Sequence, residues 1–133
     1  MSQIMELFRC NVCNNVVEMV HVGVGNLVCC DECMKLLEEH YPDNSDAHYA
    51  HIEHIDETTK KVFFNHPMTN EHYIEFIEVI SLDKKYIKRK HLKPDDVAEL
   101  VFKCECKEGF YVRNYCNIHL LNATKDIENN EAK

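Results

Sequence analysis

The chain has 133 residues, 45% of them hydrophobic, and a formal net charge of −8. This length allows one ordinary domain with its own core, or a small domain attached to a smaller one. The acidic balance argues against a nucleic-acid partner, and no apolar run reaches the length of a transmembrane helix. The first ten residues, MSQIMELFRC, lack the basic end and apolar stretch of a signal peptide. We therefore expect a cytoplasmic protein with neither a nucleic-acid nor a membrane partner.

Eight cysteines and nine histidines indicate metal binding, because cytoplasmic thiols are kept reduced and rarely form disulfides. Residues 1–38 are too few for a core of their own, so we predict a small domain that a metal holds together. This segment contains five of the cysteines: Cys10, Cys13, Cys29, Cys30 and Cys33.

The first four of these cysteines form a Cys-x-x-Cys motif followed at a distance by an adjacent pair. Neighbouring residues of an extended strand point to opposite sides, so Cys29 and Cys30 can share an ion only if the backbone bends there. Four thiolates suit iron or zinc, and the spacing does not distinguish the two metals. Cys33 could compete for the site, but the adjacent pair already completes a set of four.

Residues 39–122 show alternating apolar patterns that predict β-strands and a small antiparallel sandwich or barrel. In the segment 72–80 we expect Ile74, Phe76 and Ile80 to share one face. In the segment 99–107 we expect Leu100, Phe102, Cys104 and Cys106 to face the core, with the two cysteines acting as small apolar side chains. The predicted strands are TKKVFF, HYIEFIEVI, KKYIKRKHL, ELVFKCECK and FYVRNYC. Residues 123–133 are polar and are predicted to be a disordered tail.

Six cations are crowded into residues 84–93. One interpretation is an edge strand whose lysines discourage aggregation; the other is a positive patch that attracts a small anion. The cations of this run are Lys84, Lys85, Lys88, Arg89, Lys90 and Lys93.

Cys116 and His119 are three residues apart, with no second Cys-x-x-Cys motif beside them, and need further ligands from elsewhere. His66 and His72 flank a turn, and the segment DAHYAHIEHID offers a further histidine. In an extended strand His51 faces away from His48, and His54 lies ~20 Å further along at ~3.3 Å per residue. At most one of these three therefore joins the same ion. Three other histidines are interpreted as non-ligands: His21, His40 and His91.

Several metals could occupy such a set. Zinc would close with three or four ligands, whereas blue copper uses two histidines, one cysteine and a weak axial methionine. No methionine follows His119, since Met68 is the last one in the chain, which counts against copper. Iron with four imidazoles in a plane and a thiolate below would leave one face open for redox chemistry on a small molecule.

Together these patterns resemble the desulfoferrodoxin family, the two-iron form of superoxide reductase. The motifs LVCC, MKLLEE, HPM, HYIE, LKP and YCNIH carry the resemblance, which covers residues 7–121. It implies a desulforedoxin-like first domain, an immunoglobulin-like β-sandwich over residues 39–122 and a homodimer. The implied tetrathiolate iron ligands are Cys10, Cys13, Cys29 and Cys30. The implied catalytic iron ligands are His48, His66, His72 and His119 in the plane, with Cys116 axial. The pair Ile52-Glu53 follows His48 at the spacing of the family, so the resemblance selects His48 over His51 and His54.

The resemblance implies one-electron reduction of superoxide to hydrogen peroxide without oxygen release, as a defence against oxidative stress. A rubredoxin-like or other small protein would supply the electron. The first iron, having no open position, would store or relay an electron or only hold its domain together. The alternatives are a non-catalytic iron electron-transfer protein and a zinc-stapled binding module with purely structural histidines.

The chain departs from the family pattern beside the first ligand histidine. The family usually has Glu-Lys there, whereas this chain has Asp46 and Ala47, and a usual proline is Ala50. Asp46 is interpreted as a catalytic residue in place of the glutamate, one methylene shorter. The nearby cation is absent and the loop is expected to be less rigid. We expect the cation run at 84–93 to replace the missing lysine in part.

Overall fold

The structure is a computed structural model that describes residues 3–103 and 109–125. It divides into two compact units, Met1–Glu38 and Glu39–Lys133. Every regular element within the described ranges is a β-strand, which confirms the predicted all-β class. No helix long and apolar enough to cross a membrane occurs in the described parts of the chain.

The first unit consists of five short strands. Its three-stranded antiparallel sheet has the order β2-β1-β5, and a separate hairpin pairs β3 with β4. The strands are β1 (Leu7–Arg9), β2 (Val16–Glu18), β3 (Val28–Cys29), β4 (Glu32–Cys33) and β5 (Lys35–Leu36). Few of its side chains are buried, which fits a unit that needs a metal for stability.

The second unit is a sandwich of two antiparallel sheets, with strand orders β10-β7-β6 and β12-β11-β8-β9. Its core cluster draws on both sheets and includes Val62, Ile77, Leu100, Phe110 and Val112. The strands of the first sheet are β6 (His51–His54), β7 (Thr59–Phe63) and β10 (Glu99–Lys103). Those of the second are β8 (Ile74–Ser81), β9 (Ile87–His91), β11 (Phe110–Cys116) and β12 (Leu120–Thr124).

The face predicted for Ile74 on β8 is wrong, because the strand contains an irregularity between Ile74 and Phe76. Cys116 pairs with Ile74 but Tyr115 pairs with Phe76, so β8 has one extra residue at this point. Such a bulge shifts the alternation by one residue. Ile74 therefore lies in the core cluster with Ile77, whereas Phe76 stacks on Tyr115 at 5.3 Å on the other face.

The other face of the four-stranded sheet holds a buried ion-pair network. Glu78 is fully buried, and its two carboxylate oxygens accept hydrogen bonds of 2.7 Å from Arg89 Nε and Arg113 Nε. Arg113 is itself buried and also lies 3.7 Å from a carboxylate oxygen of Glu39. Each buried charge thus has a partner, which such charges require.

Half of the cation run, Lys88, Arg89 and Lys90, lies on β9, which is an edge strand of its sheet, as the first interpretation predicted. Lys88 Nζ donates to the carbonyl of Val101 and Lys90 Nζ to that of Glu99, both at 3.1 Å. Both acceptors belong to β10 in the opposite sheet, so these lysines link the open edges of the two sheets.

Two predictions concern residues at or beyond the limits of the described ranges. Cys104 and Cys106 lie outside the described residues, although Leu100 and Phe102 of the same pattern are buried as expected. Strand β12 continues to Thr124, and Ala123 and Thr124 are buried. The sheet therefore extends two residues beyond the predicted boundary at 122.

Candidate metal centres

The first centre lies at two turns of the first unit. The ligand atoms of Cys10, Cys13, Cys29 and Cys30 all lie within 4.8 Å of one another. Cys13 Sγ is 3.6 Å from Cys29 Sγ, which is 3.9 Å from Cys30 Sγ. Four sulfurs at ~2.3 Å from one ion, in a tetrahedron, are ~3.8 Å apart. The four thiols therefore fit a single tetrahedral metal ion.

The backbone bend that the adjacent cysteines require is present. Cys29 pairs with Glu32, and the two residues between them have left-handed conformations, with φ of 53° at Cys30 and 61° at Asp31. Positive φ at both central residues is the geometry of a type I′ hairpin turn. The turn therefore directs the two neighbouring thiols towards one point.

Hydrogen bonds among the thiols separate their proton affinities. The backbone N–H of Cys13 donates to Cys10 Sγ and is the main cause that lowers the pKa of Cys10 to about 7. The side-chain hydrogen bond with Cys13 is the main cause that raises the pKa of Cys29 to about 12. Four sulfurs so close together cannot all be thiolates without a cation between them, which is the property of a metal site.

The second centre lies at one end of the sandwich, where three loops and the end of a strand converge. His48 precedes β6, His66 follows β7, and His72 precedes β8. Cys116 is the last residue of β11, and His119 lies in the turn before β12. The ligand atoms of the first three histidines and Cys116 all lie within 4.8 Å of one another.

His119 completes the group on its exposed side. Its Nδ1 lies 3.7 Å from Cys116 Sγ, and its ring centroid is 4.9 Å from that of His48 and 5.2 Å from that of His72. Cys116 is fully buried and His48 and His66 nearly so, whereas His119 is exposed. The group is therefore a surface site with a buried floor.

Each ring of the buried pair presents Nε2 to the centre. The Nε2 atoms of His48 and His66 are 3.0 Å apart, the separation expected for two ligands at ~2.1 Å from one ion and at a right angle. Their Nδ1 atoms face acceptors outside the centre: Asp46 Oδ1 at 2.8 Å and the Pro67 carbonyl at 2.6 Å. Such an acceptor holds the proton on Nδ1 and leaves Nε2 free to bind a metal. His72 Nε2 is buried with no hydrogen-bond partner, as expected for an atom that faces the ion.

Burial also favours the neutral form of these imidazoles. Desolvation is the main cause that lowers the pKa of His66 to about 4, and it also lowers the pKa of His48. A neutral imidazole is the form that binds metal. The site is therefore prepared to bind a cation at neutral pH.

Asp46, interpreted from the sequence as a catalytic residue, contacts His48 in the structure. Its Oδ1 accepts hydrogen bonds from the backbone N–H and from Nδ1 of His48, both at 2.8 Å. The backbone hydrogen bond from His48 is the main cause that lowers the pKa of Asp46. In this structure Asp46 orients a ligand of the centre.

The loop that bears His48 is held by core-facing residues of the large sheet. Asn114 Nδ2 donates to the backbone carbonyl of His48 at 2.9 Å, and the N–H of Ala50 donates to Thr124 Oγ1 at 3.1 Å. A proline at position 50 has no N–H and could not make the second bond. The hydrogen bond of Ala50 therefore compensates for the rigidity that the loop lacks without a proline. Sequence reasoning missed Asn114 and Thr124, whose partners His48 and Ala50 lie too far along the chain for a local pattern to indicate the contact.

The remaining histidines of the second unit are not part of the ligand group. His51 stacks on Phe63 with ring centroids 5.4 Å apart, and His91 lies 5.6 Å from the ring of Phe76. The N–H and C=O of His40 bond the backbone of β12. None of the described histidines outside the predicted set joins either ligand group. Cys33 pairs with Val28 across the hairpin and is not among the four grouped thiols.

Comparison with known proteins gives the same two-part division. The model for the desulfoferrodoxin N-terminal domain matches residues 2–37, and the desulfoferrodoxin model matches residues 34–124. The chain belongs to the desulfoferrodoxin family. The desulfoferrodoxin homolog of Methanothermobacter thermautotrophicus is 40% identical over 124 residues, which cover 90% of this chain and 97% of that protein. The desulfoferrodoxin of Desulfarculus baarsii is 41% identical over 122 residues, 90% of this chain and 94% of that protein.

Solved structures of similar fold support the architecture. The superoxide reductase from Treponema pallidum matches with a TM-score of 0.69 and 22% identity, over 90% of this chain and 97% of that one. The superoxide reductase (neelaredoxin) from Ignicoccus hospitalis matches with a TM-score of 0.50 and 21% identity, over 65% of this chain and 89% of that one. At these identities the likeness shows the shared fold. The two ligand groups of this chain match the two non-haem iron sites of the desulfoferrodoxin family.

Proposed function

We propose that the protein is a superoxide reductase, which converts superoxide, one electron and two protons to hydrogen peroxide without releasing oxygen. The observation that carries the proposal is the convergence of four imidazoles and one buried thiolate at the surface end of the sandwich. Family membership supports it, as do the names of the structural neighbours.

The ligands of the second centre would hold the metal from the buried side and leave it accessible from the solvent side. Iron held by these ligands would supply the electron that superoxide accepts. Cys116 lies at the buried floor, whereas His119 lies at the exposed rim. A small anion would therefore approach from the solvent side, where the protons that the product requires are also available.

The turn that follows Cys116 donates a hydrogen bond to its sulfur. The N–H of Ile118 donates to Cys116 Sγ at 3.5 Å, which draws electron density from the sulfur. The thiolate is otherwise enclosed, since Cys116 is 0% exposed. Hydrogen bonds to a ligand sulfur and its solvent exposure are the features by which a protein tunes a thiolate-bound iron.

The first centre has four sulfur ligands and no open position, so we propose that it stores or relays an electron, or holds its unit together. We further propose a rubredoxin-like or other small electron donor, a homodimer and a cytoplasmic location. The location is supported by the grouping of four cysteines as metal ligands, a use of cysteine that is usual where thiols are kept reduced.

The test is the Cys116→Ser variant of the full chain loaded with iron. We expect it to lose the thiolate-to-iron absorption of the second centre and its reaction with superoxide, while the tetrathiolate absorption is retained. Rapid mixing of the reduced protein with superoxide measures the reaction. If the unsubstituted protein reacts only slowly, or if Cys116→Ser reacts equally fast, the proposal is wrong and a non-catalytic electron carrier is favoured.

A further inference from the structure

The turn that follows Cys116 bonds the chain on both sides of His72. Asn117 Oδ1 accepts a hydrogen bond from the N–H of Tyr73, and Asn117 Nδ2 donates to the carbonyl of Glu71, both at 3.0 Å. The backbone N–H of Asn117 also donates to the carbonyl of Tyr73 at 3.1 Å. One residue beside the thiolate therefore contacts both neighbours of a histidine more than forty positions earlier in the chain.

These bonds continue the strand pairing beyond the point where the strand ends. The ladder between β8 and β11 ends at the pair Ile74–Cys116, because residues 117–119 form a turn. A side-chain amide has an acceptor and donors, as a peptide group does. The amide of Asn117 thus replaces the next backbone group of β11 and extends the pairing to residues 71 and 73.

The hydrogen bonds between Thr69 and His72 do not link their turn to the thiolate. Thr69 and His72 bond each other through their backbones at 3.0 and 3.3 Å, and Thr69 Oγ1 accepts from His72 N at 3.2 Å. These bonds close a local turn. Fixing a loop residue in one conformation is entropically costly, so the position of the turn relative to Cys116 depends on contacts outside it.

We propose that Asn117 is a positioning residue, whose side-chain amide holds His72 at the correct place relative to Cys116 for both to bind one metal ion. The residue is not itself a ligand. Its Oδ1 also lies 3.9 Å from Cys116 Sγ, but a metal-bound thiolate has no proton to donate to that oxygen, so Asn117 acts through the backbone that carries the imidazole. The inference deepens the proposed function by naming a residue that shapes the same site. The positioning role is tested by metal binding, whereas the proposed function is tested by the reaction with superoxide, so the two can fail separately.

The first measurement is binding of Co²⁺ alone to the metal-free full chain, since the visible absorption of cobalt distinguishes a four-sulfur site from a site with one sulfur. Loss of a group that orients a metal ligand typically weakens affinity 10–100-fold. We expect Asn117→Ala to weaken binding at the second centre by about this factor and to leave the four-cysteine site unchanged. As a matched control, Ser81→Ala removes a comparable bond, from Tyr86 N at 3.1 Å, at the other end of β8, and should change neither site.

A double-mutant cycle separates positioning from general stability. In a His72→Ala protein, Asn117→Ala should weaken cobalt binding by less than about threefold, because the imidazole through which it acts is absent. An equal loss in both backgrounds would overturn the proposal, as would unchanged binding in Asn117→Ala or an equal loss in Ser81→Ala.

Hydrogen exchange of the metal-free protein provides a second measurement that does not depend on any metal. The amide of Tyr73 should exchange severalfold faster in Asn117→Ala than in the unsubstituted chain. It should remain protected in Asn117→Asp, which keeps the acceptor but places an oxygen against the Glu71 carbonyl. We expect Asn117→Asp to bind cobalt weakly despite that protection. Unchanged exchange at Tyr73 in Asn117→Ala would show that the amide does not hold the loop.

Discussion

His66 should make the stability of the metal-free protein depend on pH in a defined window. Burial lowers its pKa from 6.5 to about 4, and only 8% of the residue is exposed. Between these values the unfolded chain binds a proton that the folded chain does not, so acid favours unfolding. Each tenfold change in proton affinity is worth about 1.4 kcal/mol. The shift of the His66 pKa can therefore lower the free energy of unfolding by about 3 kcal/mol at most. From pH ~7 to pH ~4.5 we expect His66 to account for a loss of about 2 kcal/mol.

The assay is urea unfolding followed by tyrosine fluorescence. The chain has no tryptophan, and all six tyrosines lie in the second unit, so the signal reports on the sandwich. Other groups titrate in the same range, and the comparison with His66→Gln isolates the histidine. That variant should lose about 2 kcal/mol less between the two pH values than the unsubstituted protein. Val62→Ala, a buried apolar truncation, should lower stability equally at both. Identical pH dependence in His66→Gln and the unsubstituted protein would refute the reasoning.

Three further predictions concern the two centres and the buried ion pairs. Cys13→Ser should lose the first iron, measured by metal analysis, yet retain most superoxide reduction with a chemical reductant; an inactive variant with an intact second iron would contradict this. Asp46→Ala should weaken metal binding at the second centre about 10–100-fold, and Asp46→Asn, which keeps an acceptor, only slightly; equal losses would contradict an orienting role. Glu78→Ala should lower the free energy of unfolding by about 3–5 kcal/mol, because it leaves Arg113 buried without its main partner; a loss below about 1 kcal/mol would contradict this.

The sequence was most informative where chemistry restricts the choice of residue. Cys10 and Cys13 are separated by the spacing of a chelating turn, and the neighbouring pair could serve one ion only through a bend. That bend is present as positive φ at Cys30 and Asp31. The requirement was visible because four thiolates around one ion leave few backbone conformations.

The sequence was least informative where one local irregularity or a distant contact decides the outcome. Alternation placed Ile74 and Phe76 on one face, and a single bulge beside Cys116 separates them. Asn117 bonds residues 71 and 73, and no local pattern indicates that an asparagine will face a loop so far away. Asp46 matched a family position, but its contact with Nδ1 of His48 follows from the loop conformation.

Lys88 of the cation run illustrates how an electrostatic interpretation changes once the strand register is known. Lys88 pairs with Val79, whereas Cys116 pairs with Ile74. Five residues of strand at ~3.3 Å each place Lys88 about 17 Å from the thiolate along the sheet, beyond the screening length of about 10 Å at ~0.1 M salt. Its ammonium donates to the Val101 carbonyl of the opposite sheet.

Lys88→Gln should therefore lower the free energy of unfolding by about 1 kcal/mol, through loss of a charged hydrogen bond between the sheets. It should leave the rate with superoxide, and the dependence of that rate on salt, nearly unchanged. Ala47→Lys, beside a ligand histidine, should raise the rate at low salt, because it places a cation next to the centre. A lower rate in Lys88→Gln with unaltered stability would contradict this reasoning and show that Lys88 attracts the anion.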